Sequence, residues 1–224
     1  MVSLDEALSF VRARFFDQPY RPQYFFRDKY EHTLRVVAWA RRLLDGQPAD
    51  GRALLLAAAF HDVGYTVDPA DHPLHSARLC REFLSAHGEA PSFVDKVCAA
   101  IERHDDKPSI HRADTPLEQV LLIEADNLDE RGALCVLRDA LAVGCEAEPS
   151  YLGVYRRLLR HPMRREKFVC RTEACKALWE EKFALYNAIL RSLAQDLGLP
   201  EAETDADGGE EDCLDEADLR AGGL

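Results

Sequence analysis

The chain has 224 residues, 47% of them hydrophobic, which suffices for one sizeable core and favours one domain over two. Its formal net charge of −12 is uneven: residues 201–224 hold ten Asp and Glu against one Arg, leaving 30 acidic and 27 basic side chains for the rest. A body so nearly neutral, with no lysine- or arginine-rich stripe, excludes duplex nucleic acid as the expected partner.

The N-terminal stretch MVSLDEALSFVRARFFDQ is charged throughout and lacks the apolar block of a signal peptide. Leu4, Leu8, Val11 and Phe15 recur at helical spacing, predicting a first helix over 4–16 with Ser3 as N-cap. The prolines of DQPYRPQY end it. A second helix is expected from Asp28 to Leu44, and a third from Gly51 to Asp62 with Gly64 as its stop. The third is the most apolar stretch of the chain, LLLAAAF, and it runs straight into His61 and Asp62.

After the loop YTVDPADHP, residues 74–86 read as a fourth helix, with Leu74, Ala77, Leu79, Cys80, Phe83 and Leu84 inward and Gly88 closing it. Ser92 is the expected cap of a fifth, whose inner face carries Val94, Val97, Cys98 and Ile101. A sixth is expected over 117–130, with 131–144 either its continuation or another helix, followed by helices over 151–160 and 173–197. The last should bury Ala177, Leu178, Ala184, Leu185, Ile189 and Leu190. No segment alternates with period two, so the expected class is all-α, a helical bundle over 1–199. Residues 200–224, acidic, glycine-rich and poor in aromatics, are expected to be a flexible tail.

Seven cysteines, at 80, 98, 135, 145, 170, 175 and 213, are scattered and never form C-x-x-C, which argues against a disulfide framework or a zinc–thiolate site. No apolar run approaches the ~18 residues of a membrane span, so the expected setting is cytoplasmic, with no membrane partner. Oligomeric state is not legible.

The polar residues give this bundle its chemistry. His61 and Asp62 end a buriable helix, where an unpartnered carboxylate costs several kcal/mol. His104 shares the inward face of Ile101 and Val97, with Asp105 rotated away; His32 stands four before Val36 and seven before Trp39; Asp126 follows Leu122 and Ile123. Four helices therefore aim His32, His61, Asp62, His104 and Asp126 inward. A divalent cation resolves such a cluster, because it accepts imidazole and carboxylate lone pairs and compensates the charge. The donor set suits Mn, Fe, Co, Ni or Mg, with Asp62 able to reach a second ion held by His72 and His104. One or two ions per chain both remain open.

The order H…HD…H…H…D, carried by EHTLRVVAWARRLL, LAAAFHDVGY, HPLHSARLCREFL, VCAAIERHD and LLIEADNLDERGAL, resembles the HD-domain superfamily of metal-dependent phosphohydrolases, in particular small stand-alone bacterial members. The resemblance spans roughly residues 28–140, with 151–197 similar to the C-terminal helices of such proteins. It implies an all-α bundle with a metal site in its core, in which His32, His61, Asp62 and Asp126 hold the core ion and His72 and His104 a second. His61 and Asp62 would be catalytic, and a metal-activated water would cleave a phosphate ester or anhydride of a small molecule, a nucleotide among the candidates. Arg35, Lys107 and Arg131, and also Arg103, flank helix ends that open onto such a site and are candidates to meet a substrate phosphate. His75, His87 and His161 read as structural or solvated. Two alternatives stand beside hydrolysis: a diiron oxygenase on the same ligands, and a non-catalytic module that binds a nucleotide.

Overall fold

The computed structural model describes residues 1–17, 26–161 and 170–199, and the acidic segment expected to be a tail lies outside them. Among the described residues the chain forms α-helices and two short 3-10 turns and no strand. In chain order the helices are α1 (Leu4–Asp17), α2 (Lys29–Leu44), α3 (Gly51–Phe60), α4 (His72–Ala86), α5 (Pro91–Glu102), α6 (Leu117–Leu128), α7 (Ala133–Gly144), α8 (Tyr151–Arg160) and α9 (Glu173–Asp196). The turns are Val63–Thr66, between α3 and α4, and Lys107–His111, between α5 and α6.

Local chemistry sets most of these boundaries. Ser3 Oγ accepts from Glu6 N at 3.2 Å while Glu6 reaches back to Ser3 N at 2.7 Å, a reciprocal cap for α1. Asp28 caps α2 through Glu31 N, Asp50 caps α3 through Ala53 N, and Ser150 caps α8 through Gly153 N. Gly88, at φ +72, closes α4 as its spacing predicts. Ser92 does not cap α5: Ala90 stands at that position and Pro91 opens the helix, its fixed φ and missing N–H suiting the first turn. Between α6 and α7 the chain turns through two left-handed residues, Glu130 at φ +50 and Gly132 at φ +64, so 131–144 is a separate helix and α6 ends at Leu128 rather than 130.

The core centres on α3. Ala53, Leu54 and Leu56 through Phe60 are all buried, as expected of a helix apolar all round, and α1, α2, α5 and α6 pack about it. Phe10, Phe60 and Phe83 meet there with ring centroids 4.7–5.7 Å apart. A second, smaller cluster joins α7, α8 and α9 through Cys135, Tyr155, Leu158, Tyr186 and Leu190. On α9 the buried stripe is Cys175, Leu178, Tyr186, Leu190 and Ala194, whereas Ala177, Ala184 and Leu185 face solvent. The α9 register differs from expectation because α9 packs the face carrying its three large aromatic residues, Trp179, Phe183 and Tyr186, rather than the alanine face. Leu74 of α4 is likewise exposed. No helix among the described residues is long and apolar enough to cross a membrane.

Candidate metal centre

The end of α3 explains how one segment delivers two adjacent polar side chains to the same place. After Phe60 the chain leaves the α-helix, so α3 stops two residues short of the predicted end: Asp62 sits at φ −110, ψ 0, and the next four residues tighten into a 3-10 turn. Gly64 is not a left-handed helix stop. It is the point where this turn presses against the start of α4: a Cβ there would lie 2.1 Å from His72 O and 2.7 Å from Ser76 N, and Gly64 N donates to Ser76 Oγ at 2.8 Å. That contact brings His72, the first residue of α4, to 3.3 Å from Asp62 Oδ1.

Five segments then converge. His32 comes from α2, His61 and Asp62 from the end of α3, His72 from α4, His104 from the turn after α5, and Asp126 from α6. His32 Nε2 lies 3.2 Å from His61 Nε2, 3.4 Å from Asp62 Oδ2 and 3.2 Å from Asp126 Oδ1; His61 Nε2 lies 3.5 Å from Asp62 Oδ2 and 3.9 Å from Asp126 Oδ1. On the other side of the same carboxylate, Asp62 Oδ1 faces His72 Nε2 at 3.3 Å and His104 Nε2 at 3.7 Å, and those two nitrogens are 3.3 Å apart. Five of the six residues singled out from the sequence thus meet in two adjoining groups that share Asp62, and Asp126 borders the first through His32 and His61.

The ring orientations test whether this donor set fits a cation. Each histidine has its Nδ1 against an acceptor outside the cluster: Asp129 Oδ2 at 2.7 Å for His32, Ala58 O at 2.9 Å for His61, Pro69 O at 3.2 Å for His72 and Ile101 O at 2.7 Å for His104. With Nδ1 carrying the proton, every Nε2 turns a lone pair inward. Two pairs of lone pairs facing each other at 3.2 and 3.3 Å repel unless positive charge stands between them. Donors bound to one first-row ion at ~2.1 Å stand roughly 3 to 3.4 Å apart. The donors fit.

The electrostatics demand the same positive charge. Burial works against a charged His32 and His104, yet the surrounding carboxylates overcome it: Asp126, Asp129 and Asp62 push His32 well above its ordinary range, and Asp62, with Asp126 and Asp105, pushes His104 up to about 9. His61, fully buried, is pushed down to about 4 by burial, against the pull of Asp62. Burial alone would raise the Asp62 and Asp126 carboxyls; the histidines hold both well below the usual range, with Lys29 adding to the effect on Asp62.

Three neighbours complete the site. Lys29 Nζ donates to Asp62 Oδ2 at 2.7 Å and lies 3.8 Å over the Tyr65 ring, which itself stacks on His72 at 4.1 Å. Asp129, almost fully buried, takes His32 Nδ1 on Oδ2 and holds Arg35 through both oxygens, at 2.8 and 2.9 Å. Asp105 is not rotated away: its carboxylate oxygens approach His72 Nε2 at 3.4 Å and His104 Nε2 at 3.5 Å from the exposed rim. The helical angle of 100° per residue does not apply to it, because α5 ends at Glu102. Of the basic candidates, Arg35 is turned onto Asp129, Arg131 Nε donates to Asn127 O at 3.2 Å, and Lys107 and Arg103 are exposed. His87 Nδ1 donates locally to Phe83 O, and His161 packs against Arg138 in the α7–α8 layer, both apart from the centre.

Residues 30–131 match the model of the HD domain family. No curated protein matches the chain. Among solved structures it is similar to a predicted HD superfamily hydrolase from an uncultured Thermotogales bacterium, at 23% identity and a TM-score of 0.63, covering 87% of this chain and 93% of that one. Bacillus subtilis YpgQ in complex with ADP aligns at 21% identity and a TM-score of 0.63, over 86% and 94% of the two chains. The Lin1889 protein of Listeria innocua aligns at 18% identity and a TM-score of 0.55, over 89% and all of its length. At these identities the likeness is one of fold.

Proposed function

We propose that this protein is an HD-domain, metal-dependent phosphohydrolase that cleaves a phosphate ester or anhydride of a small molecule, with nucleotides as the first substrate class to test. The observation that carries the proposal is the pair of inward-facing Nε2 couples, at 3.2 and 3.3 Å, with one oxygen of Asp62 turned to each. His32, His61, Asp62 and Asp126 would hold one divalent ion, and Asp62, His72 and His104 a second. Such an ion supplies Lewis acidity, making water a better nucleophile and polarising a phosphoryl oxygen.

The chain's own residues do the rest. Asp129 fixes the His32 tautomer and is itself held by Arg35, so that ligand ring is set before any ion arrives. Lys29 keeps an ammonium beside Asp62: burial opposes its charge, but Asp62, with Tyr65 and Asp126, outweighs burial and raises its pKa. An ammonium there, together with the exposed Lys107 on the rim, would draw a phosphate toward the centre. YpgQ, of similar fold, was solved with ADP, which supports nucleotides as the first compounds to screen.

The test is phosphate release from nucleotides and sugar phosphates by the purified chain, with Mn, Mg, Co and Ni each added after chelation. Release that depends on the added metal and falls at least ~100-fold in a folded His61→Ala, Asp62→Ala double variant is the expected result. Oxygen uptake by an iron-loaded protein that releases no phosphate would replace hydrolysis with oxygenase chemistry. Nucleotide binding without any turnover would reduce the protein to a binding module.

A further inference from the structure

At the entry to α9 two sulfurs face each other. Cys170 Sγ lies 2.8 Å from Cys175 Sγ, within ~1 Å of the length of a disulfide bond. The intervening residues are firmly held: Glu124 of α6, fully buried, accepts from Arg171 N at 2.6 Å, Thr172 N at 2.8 Å and Thr172 Oγ1 at 2.6 Å. Thr172 Oγ1 in turn caps α9 by accepting from Cys175 N at 3.2 Å. Four hydrogen bonds thus fix a tight turn whose two ends are cysteines, so little backbone freedom separates the thiols from bonding geometry.

The two sulfurs differ in access. Cys175 is fully buried, whereas Cys170 is partly exposed. Glu124 stands near both, so the three residues form a set that could hold a metal. Its carboxylate, however, is already taken up by three donors on both oxygens, and a cation would have to break the α9 cap to use it.

We propose that Cys170 and Cys175 form a reversible dithiol–disulfide site, with Cys170 the thiol that meets the oxidant and Cys175 the one that resolves it. With hydrogen peroxide as oxidant, Cys170 sulfur takes one peroxide oxygen, the O–O bond breaks, and water leaves, giving a sulfenic acid. Cys175 sulfur then attacks the Cys170 sulfur; the S–O bond breaks, and the hydroxyl departs with the Cys175 proton as a second water. The dithiol loses two electrons and peroxide gains them. Two equivalents of a small thiol reverse the change: the first attacks the exposed Cys170 sulfur and releases the Cys175 thiol, and the second attacks the resulting mixed disulfide, releasing the Cys170 thiol and leaving as the disulfide of the small thiol.

The test uses the purified full-length chain, reduced, treated with a slight excess of hydrogen peroxide, alkylated and digested with trypsin. Trypsin cleaves after Arg171, between the two cysteines, so a Cys170–Cys175 bond joins two peptides that are otherwise separate. The expected result is that linked pair, a loss of two of the seven thiols, and recovery of both with dithiothreitol. In Cys175→Ser the linked pair is absent and Cys170 accumulates as sulfenic or further oxidised acid. The proposal is overturned if Cys170 is over-oxidised while Cys175 is recovered alkylated in the native chain, or if both cysteines are recovered alkylated. It is equally overturned if the purified protein carries zinc that protects both thiols and is lost in Cys170→Ser.

Discussion

Asp129 shows what a single side chain contributes at this centre. One carboxylate oxygen accepts from His32 Nδ1 at 2.7 Å, and the two together hold Arg35, which leaves the His32 ring with one orientation and one tautomer. Asp129→Asn keeps the shape but removes the charge-assisted acceptor. The expected outcome is a ~10- to 100-fold loss in Mn affinity by calorimetric titration, with the fold retained; an unchanged affinity would show that His32 needs no such support. Asp129 illustrates why part of the site was not legible in the sequence. Its partners lie 94 and 97 residues away, and Lys29 meets Asp62 across 33, so nothing at local spacing marks either as part of a metal centre. Five of the six ligand candidates were legible because each follows or precedes apolar residues at helical spacing, a signal that survives without knowledge of the fold, whereas His72, in a loop of the sequence, was legible only through the order of the histidines and the resemblance it carries.

Among the elements, the turn after α3 does the most to shape the site. Gly64 meets backbone, not a flexible side chain, so a methyl group there cannot be accommodated by a rotamer change. Gly64→Ala should cost on the order of 3 kcal/mol, lowering Tm by roughly 6 to 12 °C and weakening metal binding as α4 is pushed away from Asp62. A Tm equal to that of the native chain would remove the close approach from the account. The glycine was visible in the sequence as a helix stop, but its actual role depends on α4 packing back, which no local pattern encodes.

The α7–α8 layer carries a separate pH dependence. His161 Nε2 faces Arg138 at 2.6 Å, and burial, aided by Arg138, Arg131 and Arg157 against the pull of Asp139, pushes its pKa down to about 4. In the unfolded chain the imidazole titrates near 6.5. Between those values the unfolded state binds the proton and the folded state does not, so stability is fully present above pH ~6.5 and declines as pH falls toward ~4. His161→Gln, which cannot take up the proton, should show a shallower fall in Tm between pH 7 and pH 5 than the native chain; equal slopes would assign the pH dependence to other groups.

For the molecule as a whole, the helical class, most helix bounds and the inward aim of most ligand candidates were readable because hydrophobic periodicity and end signals act locally. The α9 register and the exposure of Leu74 were not, since both depend on which neighbour covers which face. The assembled bundle places an apolar helix at its centre and ends it at the one spot where four other segments also bring His or Asp, so the cost of burying those groups is offset only when positive charge joins them. Anomalous diffraction from Mn-soaked crystals of the chain tests this most directly. An anomalous peak is expected within ~2.3 Å of His61 Nε2 and an Asp62 carboxylate oxygen; Mn sites elsewhere with none at His32, His61, Asp62 and Asp126 would contradict a shared cation at this spot.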